Sequence, residues 1–487
     1  MIPRRTALQL LAGAPALTQA QAQPSSRWNI LVVVSDTLRT AYLGPYGNRA
    51  VRTPSLDRFA AQSLLFERAH PEALPTIPTR RTLHGGRRVF PFHNYQPQPW
   101  DNVYLPGWQS LAPEEDTVAE ALGRAGYHCG FFSDVPHYFV PGRNFTRGFH
   151  QWDYIRGNAE DRYRSTALLD PQQVAARYDS ARGPQHAANL GSLSPDEMDF
   201  ATPRTFTAAI RFLDDNRRNA KPFYLYVDTF HPHESWEAPR KYYDLYRNPS
   251  YRGKTHLTVP YGPLSRTSIS PESVEDIKAH YSGLVTMVDT WFGRLMDKLS
   301  ATGHDKDTLV IFVSDHGTNF ADNLEQAIGK PASLLYPGTM HIPLMVRHPG
   351  GDGAGKRFRQ FAYTVDVPAT VCAAAGAAPR DGLHGHNLLA LATGGSFPAR
   401  DYVTSRYGDY VWYTDDRNWF FSHVNGSEPH LFDLESSQPF GALVQDRAPE
   451  RVAMARRRIV EDAGGEVPLW SRATLANPTT RRLVQPK

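Results

Sequence analysis

The chain has 487 residues, 41% of them hydrophobic and 21% charged, a globular composition with room for one large α/β core and a smaller unit. Its formal net charge of +4 suits an anionic small-molecule or glycan substrate. With no basic tract interleaved with aromatics, it argues against nucleic acid.

Taken in order, the chain opens on an export leader. Arg4-Arg5 precede an apolar run from Ala7 to Leu17, and Ala20-Gln-Ala22 offers a small-residue cleavage site. Residues 1–22 therefore read as a signal peptide, its paired arginines suggesting the twin-arginine export machinery, with the Sec route as the simpler alternative. The run is too short to span a bilayer and no later segment reaches that length. The expectation is a periplasmic or secreted protein with no transmembrane anchor.

Asn29-Ile-Leu-Val-Val-Val-Ser-Asp36 is a continuous apolar run ending in a carboxylate, the pattern of a parallel strand buried on both faces. Working groups gather at the carboxyl ends of such strands, where Asp36 lies. A helix is predicted from Thr53-Pro54 and a strand over Leu64-Leu-Phe-Glu-Arg-Ala. Next comes Thr76-Ile-Pro-Thr-Arg80-Arg-Thr-Leu-His84-Gly-Gly, read as a helix whose first turn accommodates Pro78. Thr76 then sits where free N–H groups and the macrodipole favour an anion, although a threonine there is commonly only a cap.

The stretch from Arg87 to Asp116 is rich in proline and aromatics and reads as a long irregular segment. Thr117–Gly126 has helical spacing, and Tyr127-His-Cys-Gly-Phe-Phe reads as a strand with Asp134 and His137 just beyond it. Residues 156–200 are polar with little apolar periodicity and are expected to be an insertion over the core. Phe223-Tyr-Leu-Tyr-Val-Asp228 is another buried-type strand, followed by His231-Pro-His233. Ile277–Leu299 is a periodic amphipathic helix. Thr308-Leu-Val-Ile-Phe-Val-Ser-Asp315-His316-Gly317 is a second strand ending in a metal-type carboxylate, and Leu344-Met-Val-Arg is a further short strand. The alternation predicts a mostly parallel sheet with helices on both faces. After about 395, short aromatic strands at Tyr410, Trp419 and His430 predict a small antiparallel unit, and the tail beyond 450 reads as peripheral. Cys129 and Cys372 stand in apolar contexts and read as buried free thiols.

Asp36, Asp315 and His316 are expected to converge near the helix bearing Thr76. Carboxylate oxygens plus an imidazole suit calcium, magnesium or manganese, with zinc an alternative. Such an ion would act as a Lewis acid on an ester oxygen and lower the proton affinity of the Thr76 hydroxyl.

The ordered set of Asp36, Thr76-x-Pro-x-Arg80-x-x-Leu-x-Gly, Pro232-His233, Ser-Asp315-His316-Gly and Gly329-Lys330 resembles the type I sulfatases, the sulfatase branch of the alkaline phosphatase superfamily. The resemblance runs from about 28 to 440. It implies an alkaline-phosphatase-like mixed sheet sandwiched by helices over 27–394, with a C-terminal subdomain and tail over 395–487. It implies one divalent metal ion, calcium foremost, with Asp36, Asp315 and His316 on ligand positions and Thr37 where many members carry a second aspartate. Thr76 falls on the nucleophile position and Arg80 on the arginine supporting it. His233 falls beside the ester oxygen, Lys330 on the anion-holding lysine, and His137 on a site histidine in approximate register. His231 and His84 are substrate-binding candidates, each with a plainer reading as a loop or helix-capping histidine.

The departures shape the chemistry. Members of the family oxidise a cysteine or serine at the nucleophile position to formylglycine, and threonine, with a methyl on its β-carbon, cannot give that aldehyde. The lysine expected near Asp134 is absent, and Asn323 stands about where a histidine is common. Thr76 would have to attack directly, forming an ester that needs a second attack at sulfur or phosphorus. The expected function is a metal-dependent hydrolase of sulfuric or phosphoric (phosphonic) esters. The alternatives are a phosphodiesterase or phosphoryl transferase of the same superfamily, or a non-catalytic binder of sulfated ligands.

Overall fold

A computed structural model describes residues 27–93, 105–158, 161–167 and 169–469; the leader and cleavage site lie outside it. Fifteen strands are present among the described residues. They are β1 Asn29–Ser35, β2 Leu64–His70, β3 His128–Ser133, β4 Gln151–Tyr154, β5 Phe223–Thr229, β6 Gly262–Pro263, β7 Thr308–Ser314, β8 Asn319–Phe320, β9 Ala327–Gly329, β10 Leu344–Arg347, β11 Arg357–Tyr363, β12 Val403–Tyr407, β13 Tyr410–Thr414, β14 Asn418–His423 and β15 His430–Asp433.

Eight of them form one sheet in the order β11-β2-β10-β7-β1-β5-β3-β4. Only β10 runs against its neighbours; the other pairings are parallel. The two faces explain the continuous apolar runs. Leu31 and Val33 of β1 pack with Val310 and Phe312 of β7 under the helices Pro54–Ala61, Ala201–Asn216 and Pro271–Ala301. Ile30, Val32 and Val34 point the other way, with Leu309, Ile311 and Val313, under the helices Thr76–Gly85, Val118–Arg124 and Asp366–Ala375. A strand covered on both faces has no polar side to alternate with.

The parallel directions bring four carboxylates to one edge. Neighbouring strands β7, β1, β5 and β3 end at Asp315, Asp36, Asp228 and Asp134. Ser35 is level with both Ser314 and Thr229, and Ser133 with Asp228. A small sheet, β6-β9-β8, delivers Lys330 immediately after β9.

The C-terminal strands form a separate antiparallel meander, β12-β13-β14-β15. Its β12 is one strand more than the aromatic runs predict. Leu74, two residues before Thr76, donates its N–H to the Arg406 carbonyl of β12 at 2.9 Å, so this sheet braces the entry to the Thr76 helix. The tail is more than peripheral: the helix Pro449–Asp462 packs Ala455 and Ile459 against Val411, Tyr413 and Phe420. Its Asp462 pairs with Arg88 at 2.8 Å.

The 156–200 segment also carries more order than its polarity suggests. It forms the helices Pro171–Arg177 and Gly183–Leu190, whose Val174 and Ala187 make a small core with Tyr178 and Leu257. Cys129 and Cys372 are buried and free. Among the described residues, no helix is long and apolar enough to cross a membrane.

Candidate active site

Thr76 is the first residue of its helix, which ends at Gly86 with φ +71°, a left-handed cap that favours glycine. Arg80 lies one turn on, on the same face, and its Nη1 donates to the Thr76 carbonyl at 3.3 Å. Both residues are buried.

The Arg80 guanidinium is the hub of the site. Nε and Nη2 donate to Asp228 Oδ2 and Oδ1 at 2.9 and 2.7 Å, a bidentate fork. Nη1 donates to Asp315 Oδ2 at 2.5 Å and lies 3.0 Å from Asp36 Oδ2. That second contact is within ion-pair range but out of hydrogen-bond alignment. All four side chains are fully buried.

Asp36, Asp315 and His316 each present a donor atom within 4.8 Å of the others. Thr37, at φ +60°, turns the chain so that its N–H donates to Asp315 Oδ1 at 2.9 Å and its hydroxyl to Asp36 Oδ1 at 2.6 Å. A β-branched residue is costly in that conformation, and these bonds, with Tyr281 donating to its carbonyl at 2.7 Å, hold it. Thr37 thus orients a candidate ligand in this arrangement. Gly317 admits the Gly338 carbonyl, which would lie 2.1 Å from any Cβ there.

Three observations fit a divalent cation. His316 Nδ1 faces the Gly317 carbonyl at 2.9 Å, so it carries the hydrogen and leaves Nε2 as an acceptor. That Nε2 is buried without a hydrogen-bond partner, as is Asp36 Oδ2. Three carboxylates, Asp36, Asp315 and Asp228, face a single guanidinium, and a doubly charged ion would balance the excess. Burial and the neighbouring Asp315 accordingly push the Asp36 carboxyl well above its ordinary range. Burial acts the same way on Asp315, but His316 and Arg80 outweigh it and hold that carboxyl at about 2. The oxygen-rich donor set suits calcium, magnesium or manganese.

A second corner holds Lys330, His233 and Glu234. Lys330 Nζ donates to Glu234 Oε2 at 2.8 Å and to His233 Nε2 at 3.0 Å. His233 Nδ1 donates to the Glu234 carbonyl at 2.6 Å, and Tyr261 donates to Glu234 Oε1 at 2.7 Å. Burial and Lys330 push the His233 imidazole well below its ordinary range, in keeping with an Nε2 that accepts. His137 follows β3 and stands edge-on to Trp108 and Phe230 with centroids 5.0 and 5.9 Å away. Burial, then Arg80, Arg143, Lys330 and Arg182, pushes it down to about 3.

Two candidates lie differently from expectation. His84 is enclosed by the rings of Phe131, Tyr138, Phe145, Phe149 and Tyr226, with Nε2 3.3 Å from the Tyr138 hydroxyl. It packs beneath the helix as a core residue. His231 turns Nδ1 to the Thr202 hydroxyl at 2.7 Å, a buried contact that anchors the loop. Sequence reasoning missed Asp228, Tyr138 and Glu234 as site components. Asp228 carries the same signal as Asp36 and Asp315, a carboxylate closing a buried-type strand. Asn323 braces the β8–β9 turn, accepting from the Ala327 N–H at 2.9 Å.

An edge of carboxylates under a helix N-terminus, on a mixed sheet between helix layers, defines an alkaline-phosphatase-like ester hydrolase. The sulfatase family model matches residues 28–377, and the chain belongs to that family. An arylsulfatase of Clostridium perfringens is 25% identical over 90% of this chain and 94% of its own. The crystal structure of a phosphonate monoester hydrolase of Agrobacterium radiobacter superposes with a TM-score of 0.70 at 21% identity, covering 90% of this chain and 96% of that one. A structure of BT4656 in complex with D-glucosamine-2-N,6-O-disulfate superposes with a TM-score of 0.66 at 16% identity, covering 90% and 98%.

Proposed function

We propose that the chain hydrolyses sulfuric or phosphoric (phosphonic) esters with Thr76 as the direct nucleophile and a divalent ion, calcium foremost, held by Asp36, Asp315 and His316. The carrying observation is the placement of Thr76 one helical turn from Arg80, whose guanidinium spans Asp228, Asp315 and Asp36. When bound, the ion supplies Lewis acidity to the ester oxygen and favours the Thr76 alkoxide. Thr76 Oγ1 gives its proton to water and bonds to sulfur or phosphorus as the bond from that atom to the ester's alcohol oxygen breaks. That oxygen takes its proton from the Lys330–His233 pair, whose 3.0 Å contact supports the role. Water then attacks the same sulfur or phosphorus and returns a proton to the Lys330–His233 pair, the bond to Thr76 Oγ1 breaks, and Oγ1 regains its proton from water. Arg80 balances the anion's charge throughout, and Lys330 does so until its proton passes to the leaving oxygen.

The threonine itself favours a second reading. Without an aldehyde, its ester has no exit by C–O cleavage, which tilts the chemistry toward phosphorus esters and toward transfer to an acceptor alcohol. The similarity to a phosphonate monoester hydrolase supports that reading, and the similarity to arylsulfatases supports sulfate. A glycan ester is compatible with either. The reading includes export by the twin-arginine route, a periplasmic or secreted location, a catalytic unit over 27–394 and a C-terminal subdomain over 395–487.

The test is turnover of an aryl sulfate, a phosphate diester and a phosphonate monoester, metal-loaded and with EDTA, beside Thr76→Ala. Metal-dependent turnover lost in Thr76→Ala supports the mechanism, and the preferred ester names the branch. Full activity in Thr76→Ala overturns it. No turnover of any ester with any metal favours a binder of sulfated ligands.

A further inference from the structure

Arg80 has five N–H donors and no exposure, and three carboxylates surround it. Two of those carboxylates belong to the candidate ion site, so a guanidinium free to choose would compete with the cation for their lone pairs. Asp228 removes that freedom. Its two oxygens engage Nε and Nη2 in the plane of the fork at 2.9 and 2.7 Å, leaving Nη1 alone to reach Asp315 and Asp36. The Tyr138 hydroxyl fixes Asp228 by donating to Oδ2 at 2.6 Å, and the Tyr138 ring stands 5.5 Å from the Arg80 guanidinium carbon. Asp228 is itself set in β5, in register with Val34 of β1 on one side and Ser133 of β3 on the other. A carboxylate in a strand paired on both sides holds its partner better than one on a loop.

We propose that Asp228 is a positioning residue that holds Nε and Nη2 of Arg80, so that Nη1 alone reaches Asp36 and Asp315 and the remaining lone pairs of those carboxylates, Asp36 Oδ2 among them, stay open to a divalent ion. The inference rests on the ion site proposed above but not on the identity of the nucleophile. Asp228→Asn keeps the volume and replaces one acceptor with a donor that opposes the fork. The freed guanidinium then turns a second nitrogen toward Asp36 and Asp315, which Nη1 alone reaches in the wild type.

The test is calorimetric titration of the full-length protein with calcium chloride and with manganese chloride, beside steady-state kinetics, for wild type, Asp228→Asn and Asp228→Glu. Asp228→Asn is expected to bind the ion about 10- to 100-fold more weakly and to lose kcat at saturating metal with KM little changed, and Asp228→Glu to recover part of both. Unchanged ion affinity and kcat with only a lower melting temperature would make Asp228 a structural partner and overturn the proposal. Should Asp228→Asn fail to fold, a crystal structure of the calcium-loaded wild type decides. The Asp228 fork intact, with Asp36 and Asp315 both ligating the ion, supports it; a guanidinium that has left Asp228 while the ion is bound, or an ion not held by those two carboxylates, overturns it. Activity surviving in Thr76→Ala would sink the threonine mechanism and leave this inference standing, whereas a wild-type chain that binds no divalent ion overturns both.

Discussion

Lys330 Nζ stands 3.0 Å from His233 Nε2 and 2.8 Å from Glu234 Oε2, so the lysine is the donor of the pair and the imidazole its acceptor. Under the proposed mechanism Lys330 is then the source of the leaving-group proton. Lys330→Met is therefore expected to lower kcat by about 10²- to 10⁴-fold for esters of poorly acidic alcohols. Esters of activated phenols, whose oxygen leaves without protonation, should lose far less. Rates across a series of leaving groups check this, and equal losses across the series would remove Lys330 as the proton source.

Thr76→Ala is expected to cost at least about 10³-fold in turnover, because covalent catalysis ends with the hydroxyl. Thr76→Ser keeps the oxygen and should stay within about tenfold of wild type. Peptide mapping of acid-quenched enzyme should find the ester on residue 76 in wild type and in Thr76→Ser. An ester on another side chain would reassign the nucleophile.

Removing Arg80 leaves three buried carboxylates without their cation. Arg80→Ala is expected to cost about 3–5 kcal/mol in urea unfolding, and Arg80→Lys nearly as much, since an ammonium cannot reproduce the fork on Asp228. Added calcium should restore part of the loss in both. A neutral Arg80→Ala would mean the carboxylates do not carry their charges in the folded state.

Asp134 is buried, accepting the Phe230 N–H from one oxygen and the Asn158 amide from the other, each at 2.9 Å. Burial pushes its carboxyl up to about 6, against about 3.9 for an unfolded aspartate. The folded state thus binds the proton more tightly. Asp134 contributes stability that is fully present below about pH 4 and is lost as the pH rises through 6, about 3 kcal/mol in all. Asp134→Asn should remove that dependence, stabilising the protein at pH 8 and matching wild type near pH 4 in urea unfolding. Parallel curves for the two proteins across that range would show that Asp134 ionises without cost.

The strands, the helix opening at Thr76 and the carboxylates at the ends of β1 and β7 were legible in the sequence. A strand buried on both faces must be apolar throughout, and a parallel strand's carboxyl end is where the chain turns to its chemistry. The resemblance carried by the motif order likewise implied that Arg80, His233 and Lys330 share one site. Only the tertiary structure decided what those groups do to one another. Asp228 stands 148 residues from Arg80, and Lys330 stands 97 from His233, so no local pattern couples them. His84 has the spacing of a pocket residue, yet the fold closes five aromatic rings around it. Periodicity fixes which way a side chain points from its own helix or strand; hydrogen-bond partners and local field come from other elements, and those are set only when the sheet assembles.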